Sequence, residues 1–271
     1  MSANAAVLVR RQESGWRMGL ANMLGKELAA WWRTRRGWVQ CLAALLLLNG
    51  NLAVNLRGGR GTANAIENAT LAFMVTVSLC VPLAAVSLAQ DSILGEKHSG
   101  TAAWVLSKPL RRPAYVLAKL IAHGLGLFVA WVALPGVVAY LQLLKPAGGY
   151  FTPLRIAQVM GLHYLNLLFF LTLALMLATF FNGRGPVLGI SLVLAWAGPM
   201  PLLSAPIQKY APWLYDVLPW KLLIDFDTNR PLVLYLLKGR PLPTVVPIVA
   251  TALWCVLFTA VAIWRMSREE F

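Results

Sequence analysis

The chain has 271 residues, 59% of them hydrophobic and 13% charged, with a mean hydropathy of +0.65, which is too apolar for a water-soluble domain and indicates a polytopic all-α membrane protein. Its net charge of +14 is explained by the Lys and Arg that collect at the cytoplasmic ends of membrane helices, and no nucleic-acid-binding pattern accompanies it. Cys41, Cys80 and Cys255 sit singly inside apolar runs, with no CxxC, which argues against disulfide or metal use.

Before the first apolar run lies an amphipathic segment, residues 15–37. On a helical wheel Trp16, Leu20, Met23, Leu24, Leu28 and Trp31 share one face, opposite Asn22, Lys26 and Arg33. Such a helix is expected to lie flat in the headgroup layer, with Trp31 and Trp32 at the boundary and the run Arg33-Thr34-Arg35-Arg36 held by anionic lipid. Glu27 falls inside the apolar face, where an unpaired carboxylate is costly. It is expected either to pair locally with an arginine or headgroups, or to meet a partner or the loop ahead. The first apolar run starts near Trp38, behind too many charges for a cleavable leader.

Six runs are long enough to cross a ~30 Å hydrocarbon core, which takes about 20 helical residues. They are residues 38–56, 68–90, 114–144, 156–181, 186–207 and 242–264. Pro82, Pro135 and Pro199 mark kinks within them. The fourth and fifth are joined only by Asn182-Gly183-Arg184-Gly185, so they are expected to be antiparallel neighbours. With the N-terminus inside, the inner segments hold 15 Lys and Arg against 9 outside, and the densest cluster precedes the first span. Both termini are therefore expected in the cytoplasm, as is the connection 91–113.

That connection is unusual. From Gln90 to Lys119 it reads QDSILGEKHSGTAAWVLSKPLRRPAYVLAK, with charges at its two ends and an apolar-rich helix expected over residues 101–107, stopped by Pro109. A loop this long and ordered is expected to meet something outside the membrane. The external loop 208–241 interleaves Tyr210, Trp213, Tyr215, Trp220, Phe226 and Tyr235 with charges. It suits either an interfacial or re-entrant layer capping the bundle or a plain aromatic belt.

These residues resemble the permeases of the ABC-2 type, the transmembrane subunits of ATP-binding-cassette exporters. Their loop between spans two and three runs acidic residue, Gly-Thr, short apolar helix, Pro, basic residue, aromatic or small residue, then Lys. Here those positions are Glu96, Gly100-Thr101, Ala102 to Leu106, Pro109, Arg111-Arg112, Tyr115 and Lys119. GKELAAWWRTRR is similar to the family's elbow helix, through Lys26, Glu27, Arg33 and Arg35. His98-Ser99 departs from the pattern where another acidic residue is expected. The resemblance implies an ABC-2, type V exporter-like architecture of one transmembrane domain. It implies a coupling helix seated on a cytoplasmic ATPase, with Glu96 and Thr101 at the helix start, Pro109 as its corner and Arg111 and Arg112 as a basic anchor. It also implies two ATPases and a second permease, identical or paralogous, in a bacterial or archaeal cytoplasmic membrane. No G-x-x-x-x-G-K-[ST] occurs: Gly58-Gly59-Arg60-Gly61-Thr62 has no lysine before its Thr. ATP and Mg are therefore expected on the partner, with no cofactor and no catalysis on this chain.

Other readings are weaker. His98, His123 and His163 lack a neighbouring carboxylate in sequence and are expected to be packed, not metal-bound. Lys119 is expected to reach back to the inner headgroups. Asn49, Asn51, Asn55 and Asn166 suit either a polar path or interhelical hydrogen bonds. The alternatives to a permease are a secondary transporter or channel without an ATPase, and a membrane scaffold that recruits one. Spans nearly free of acids and bases count against proton or sodium coupling and against a membrane enzyme. Lipids, hydrophobic drugs or peptides suit such spans, and polysaccharide exporters share the pattern.

Overall fold

Every regular element is a helix in the computed structural model, which describes residues 15–58, 63–144, 152–197, 200–223 and 232–269; among these residues there is no strand. The elements are α1 (Leu20–Trp32), α2 (Arg35–Gly58), α3 (Ala63–His98), α4 (Thr101–Leu106), α5 (Arg112–Leu144), α6 (Pro153–Phe180), α7 (Arg184–Ala197), α8 (Pro201–Tyr210), α9 (Pro212–Val217), α10 (Trp220–Leu223), α11 (Leu232–Leu237) and α12 (Val246–Ser267). Local chemistry sets several of the boundaries. Thr34 Oγ1 accepts from Arg36 N at 3.2 Å at the start of α2, and Thr152 Oγ1 accepts from Arg155 N at 3.4 Å ahead of Pro153 in α6.

Among the described residues five helices, α2, α3, α5, α6 and α12, are long and apolar enough to cross a membrane. The fifth expected run, 186–207, is not one rod. Its helix α7 has 14 residues, about 21 Å, and ends at Ala197, while α8 restarts at Pro201. Pro199 lies outside the described residues; Met200, which precedes Pro201, is extended at ψ 111°, as the clash with the proline ring requires. A second departure concerns α3. It has 36 residues, about 54 Å, so it stands well clear of a ~30 Å core, and the stretch from Gln90 to His98 is helix, not loop. Ser92, Ile93 and Leu94 are buried against neighbouring helices, which keeps that extension wound.

At the centre stands α6, packed on α3, α7 and α12. Phe169 meets Phe170 at 5.1 Å and Phe258 at 5.4 Å, and Phe258 stacks on Trp254 at 5.3 Å. The helices α2 and α12 are peripheral and turn Trp38, Leu42, Leu46, Leu253 and Val256 outward, as a lipid-facing wall does. Pro135 in α5 cannot bond back to Trp131, and the preceding residues Phe128–Ala133 wind as a π-helix. Asn49 Nδ2 donates to Pro135 O at 3.0 Å, Gln142 Nε2 donates to Asn49 O at 3.3 Å, and Trp131 Nε1 donates to Gln40 Oε1 at 2.8 Å, so α2 is stitched to the back of α5. Asn49 therefore serves interhelical bonding, while Asn55 bonds to Asn51 in its own helix at 2.9 Å.

The short helices α8 to α11 form a layer over the end of the bundle remote from α1. Trp220 is buried and its Nε1 donates to Leu194 O at 2.8 Å, and Trp254 Nε1 donates to Val217 O at 3.1 Å. Tyr210 and Trp213 stay exposed. The aromatic loop thus divides into a cap held by Trp220 and an outward belt; Phe226 lies outside the described residues. Lys238 pairs with Glu67, tying the layer to the start of α3.

Candidate functional site

At the opposite end of the bundle, charged side chains from several helices gather at the foot of α3. Glu27 projects from the buried stripe of α1 (Met23, Glu27, Trp31), in a helix whose other side is exposed at Asn22 and Lys26. Lys119 projects from the start of α5, one turn beyond Tyr115 and one turn before His123 on the same face. Glu96 ends α3. Lys119 Nζ lies 3.2 Å from Glu27 Oε1 and 3.1 Å from Glu96 Oε2, and the lysine is 1% exposed. Tyr115 OH donates to Glu96 Oε2 at 2.6 Å, and Lys26 Nζ donates to Glu96 Oε1 at 3.2 Å. Two carboxylates and two ammoniums neutralise each other, and every Glu96 oxygen has a donor. This is the condition under which buried charge is tolerated.

The expectations fare differently here. Glu27 meets the end of the Gln90–Lys119 stretch rather than an arginine or headgroups. Lys119 does not reach back to the headgroups, because two carboxylates brought by other elements lie nearer. Trp31 is not at the boundary but buried, with its indole edge-on to His123 at 6.0 Å and its face on Gly126, where a Cβ would overlap the ring. Trp32 is exposed, as are Arg33 and Arg35, which do not join the cluster. His123 Nδ1 lies 2.9 Å from Lys119 O, and His163 is fully buried in α6. Among the described residues no three His, Cys, Asp or Glu side chains are grouped to hold a metal ion.

Three further ties leave the same foot. Asp91 Oδ1 pairs with Arg184 Nη2 at 2.7 Å, reaching the α6–α7 turn, and His98 Nε2 lies 2.6 Å from Asn182 O in that turn. Lys97 Nζ contacts Thr179 O at 3.2 Å and Glu269 Oε1 at 2.7 Å, reaching α6 and the end of α12. Arg112 closes the circuit by donating to Met266 O at 2.7 Å and to Glu269 O. Arg112 is therefore turned inward. The foot of α3 is thus bonded to α1, α5, the α6–α7 turn and α12. Lys97, Lys119 and Glu269 were missed as partners in the sequence, because a pairing across elements leaves no spacing to read.

From this foot hangs α4. Gly100, at φ 70°, makes the left-handed turn that ends α3, and Thr101 starts α4 within hydrogen-bond reach of Ser99 Oγ and Glu96 O. Ala102 and Val105 are buried, and Val105 packs into a cluster of Met23, Tyr115, Val116, Ala262 and Met266. The other side is bare: Trp104 is 63% exposed, with Lys108 over its ring at 4.9 Å, and Thr101, Ser107, Pro109 and Arg111 are also exposed. Arg111 N bonds to Met18 O at 3.1 Å, fixing the far end of the segment to the start of α1. The result is a short, rigidly seated helix presenting one amphipathic face.

The model of the ABC-2 family transporter proteins matches residues 21–271. The chain belongs to the ABC-2 transporter family. It is also similar to a protein of Pseudomonas aeruginosa described as "Probable ABC transporter permease protein NosY", 29% identical over 258 residues that cover 88% of this chain and 90% of the relative. The chain is therefore a multi-pass transmembrane permease, and family membership implies partnership with an ABC ATPase. In this permease the motif residues Glu96, Gly100, Thr101, Pro109, Arg111 and Arg112 and the elbow residues Lys26 and Glu27 come together at one end of the bundle.

Proposed function

We propose that this permease moves a substrate outward across the cytoplasmic membrane by receiving the closing motion of two cytoplasmic ATPases through α4. In this reading α1, α4 and both termini are cytoplasmic, α9 to α11 are external, and α7 with α8 forms a broken fifth span. ATP and Mg are bound by the ATPases alone. The observation that carries the reading is the two-sided character of the α4 segment: its exposed side offers Trp104, with Lys108 and Arg111 just beyond the helix, and its seat is bonded through Glu96 to α1 and α5 and through Arg112 to the end of α12. An exposed tryptophan beside cations suits a docking hot spot on an acidic cleft. Glu96, expected at the ATPase contact, spends its carboxylate internally and acts here by positioning α4.

A second permease would pack on the outward face of α7, where Gly185 and Gly189 are one turn apart with open space at each Cβ, a spacing that lets membrane helices approach closely. Differential binding of α4 by nucleotide-bound and nucleotide-free ATPases would bias the bundle between inward- and outward-facing forms.

The test is copurification of the permease with the ATPase of its own cell, with ATP turnover measured in the complex. Trp104→Ala and Arg111→Glu are expected to abolish association while leaving the melting profile of the permease unchanged. Survival of both association and permease-dependent turnover in the two variants would remove α4 from the mechanism.

A further inference from the structure

Between α5 and α6 runs a groove of about 310 Å³, at the small end of ligand-site volumes of roughly 300–1,000 Å³. Its walls are Phe128, Gly136 and Tyr140 on one side and Ile156, Ala157 and Gly161 on the other. Both walls belong to helices that cross the membrane, and Val137, Ala157 and Gly161 are exposed along it. The medium that fills such a groove is therefore hydrocarbon, not water.

Three observations make it a site and not surface roughness. Its floor lacks a side chain at Gly161, which has nothing within 4 Å of its Cβ position, while Gly136 lets Met160 pack flat against α5, with Met160 Cγ 2.9 Å from where a Cβ would be. One wall is held open from behind, since Asn49 bonds the Pro135 carbonyl and Gln40 bonds Trp131. The length is also right. From Phe128 to Tyr140 is about 18 Å of helix, close to the ~15 Å hydrocarbon depth of a single leaflet. Phe128 then stands near the bilayer midplane and Tyr140 at the headgroup level, where tyrosine is favoured.

We infer that this groove holds one acyl chain of a membrane phospholipid, in the leaflet remote from α4. The inference rests on α5 and α6 spanning the membrane and not on any ATPase coupling, so either can fail without the other.

The experiment is native mass spectrometry of the full chain extracted in detergent, before and after delipidation and re-addition of dioleoylphosphatidylethanolamine. The wild type is expected to retain one phospholipid per chain and to rebind it. Gly161→Leu and, independently, Ala157→Leu fill the groove and are expected to lose that lipid. Leu253→Phe, on the lipid-facing side of α12, is expected to keep it. A melting curve on each sample identifies any variant that fails to fold, and the two groove variants lie on one helix turn, so one suffices. Equal lipid retention by the wild type and a folded groove variant overturns the inference. So does a retained mass that is a hydrophobic solute instead of a phospholipid.

Discussion

Replacing Lys119 by methionine isolates the worth of the charged cluster. The side chain is 1% exposed and its ammonium serves Glu27 at 3.2 Å and Glu96 at 3.1 Å. After Lys119→Met, Glu96 still receives Tyr115 and Lys26, whereas Glu27, 10% exposed at its side chain, keeps only Lys26 at 4.0 Å. Removing one partner of a buried pair costs about 3–5 kcal/mol, and because only one of the two carboxylates is stranded the lower end applies. A loss of about 3 kcal/mol is roughly a 150-fold change in the folded-to-unfolded ratio. Exchanging the whole pair for apolar groups removes the stranded charge, so Lys119→Met with Glu27→Leu is expected to recover to within about 1 kcal/mol of the wild type. The assay is reversible unfolding in mixed micelles of rising dodecyl sulfate content, read by tryptophan fluorescence. The reasoning is refuted if Lys119→Met unfolds with the wild type, or if adding Glu27→Leu deepens the loss.

Gly126→Ala puts a methyl into the Trp31 indole and is expected to cost about 1–3 kcal/mol, with recovery when Trp31→Leu is added, measured as a melting shift in detergent. Glu269→Gln strips Lys97 of its 2.7 Å carboxylate partner while leaving Thr179 O; about 1–3 kcal/mol and faster trypsin cleavage at Arg265 and Arg268 are expected. Pro82→Ala restores the bond from residue 82 to Ser78 O within α3; stability is expected to hold or rise while reconstituted transport slows more than ATP turnover.

How much of this was legible in the chain depends on whether a residue's partner was local. Glu27 announced itself, since a carboxylate inside an apolar stripe must be paired, and Lys119 announced the complementary fact from the start of an apolar span. Treating each as a property of its own helix sent Lys119 to the headgroups. Tyr115, Lys119 and His123, one turn apart, were the signal that this face of α5 is covered. The extension of α3 to His98 hid behind Gln90-Asp91-Ser92, which reads as loop, although Gly100 is the termination signal that the helix obeys. The fifth run ends as helix at Ala197 and restarts at Pro201, whose ring keeps Met200 extended, so the place of the restart was legible in the chain as a proline. The ties of Lys97 and Arg112 to Glu269 and Met266 link residues far apart in the chain and leave no periodic trace.

The position of the foot also limits where the bundle can bend. A buried ion cluster gains little stability over well-packed apolar groups, and membrane helices have no hydrophobic drive to hold a register. What the cluster fixes is geometry: α1, α3 and α5 must move together, because sliding any one of them strands a charge, and α4 follows through the Gly100 turn and its apolar seat. Under the proposed coupling, a displacement delivered at Trp104 would be carried unchanged until the first point at which α3 or α5 loses a backbone bond. In α3 that point is Pro82, about 21 Å of helix above Glu96. In α5 it is the π-helical stretch Phe128–Ala133 with Pro135, beginning about 14 Å above Lys119. The two weak points lie at similar depth on adjacent helices, so the segment below them is a rigid unit, and under the proposed coupling the segment above them is where a change in access to either side of the membrane would be made.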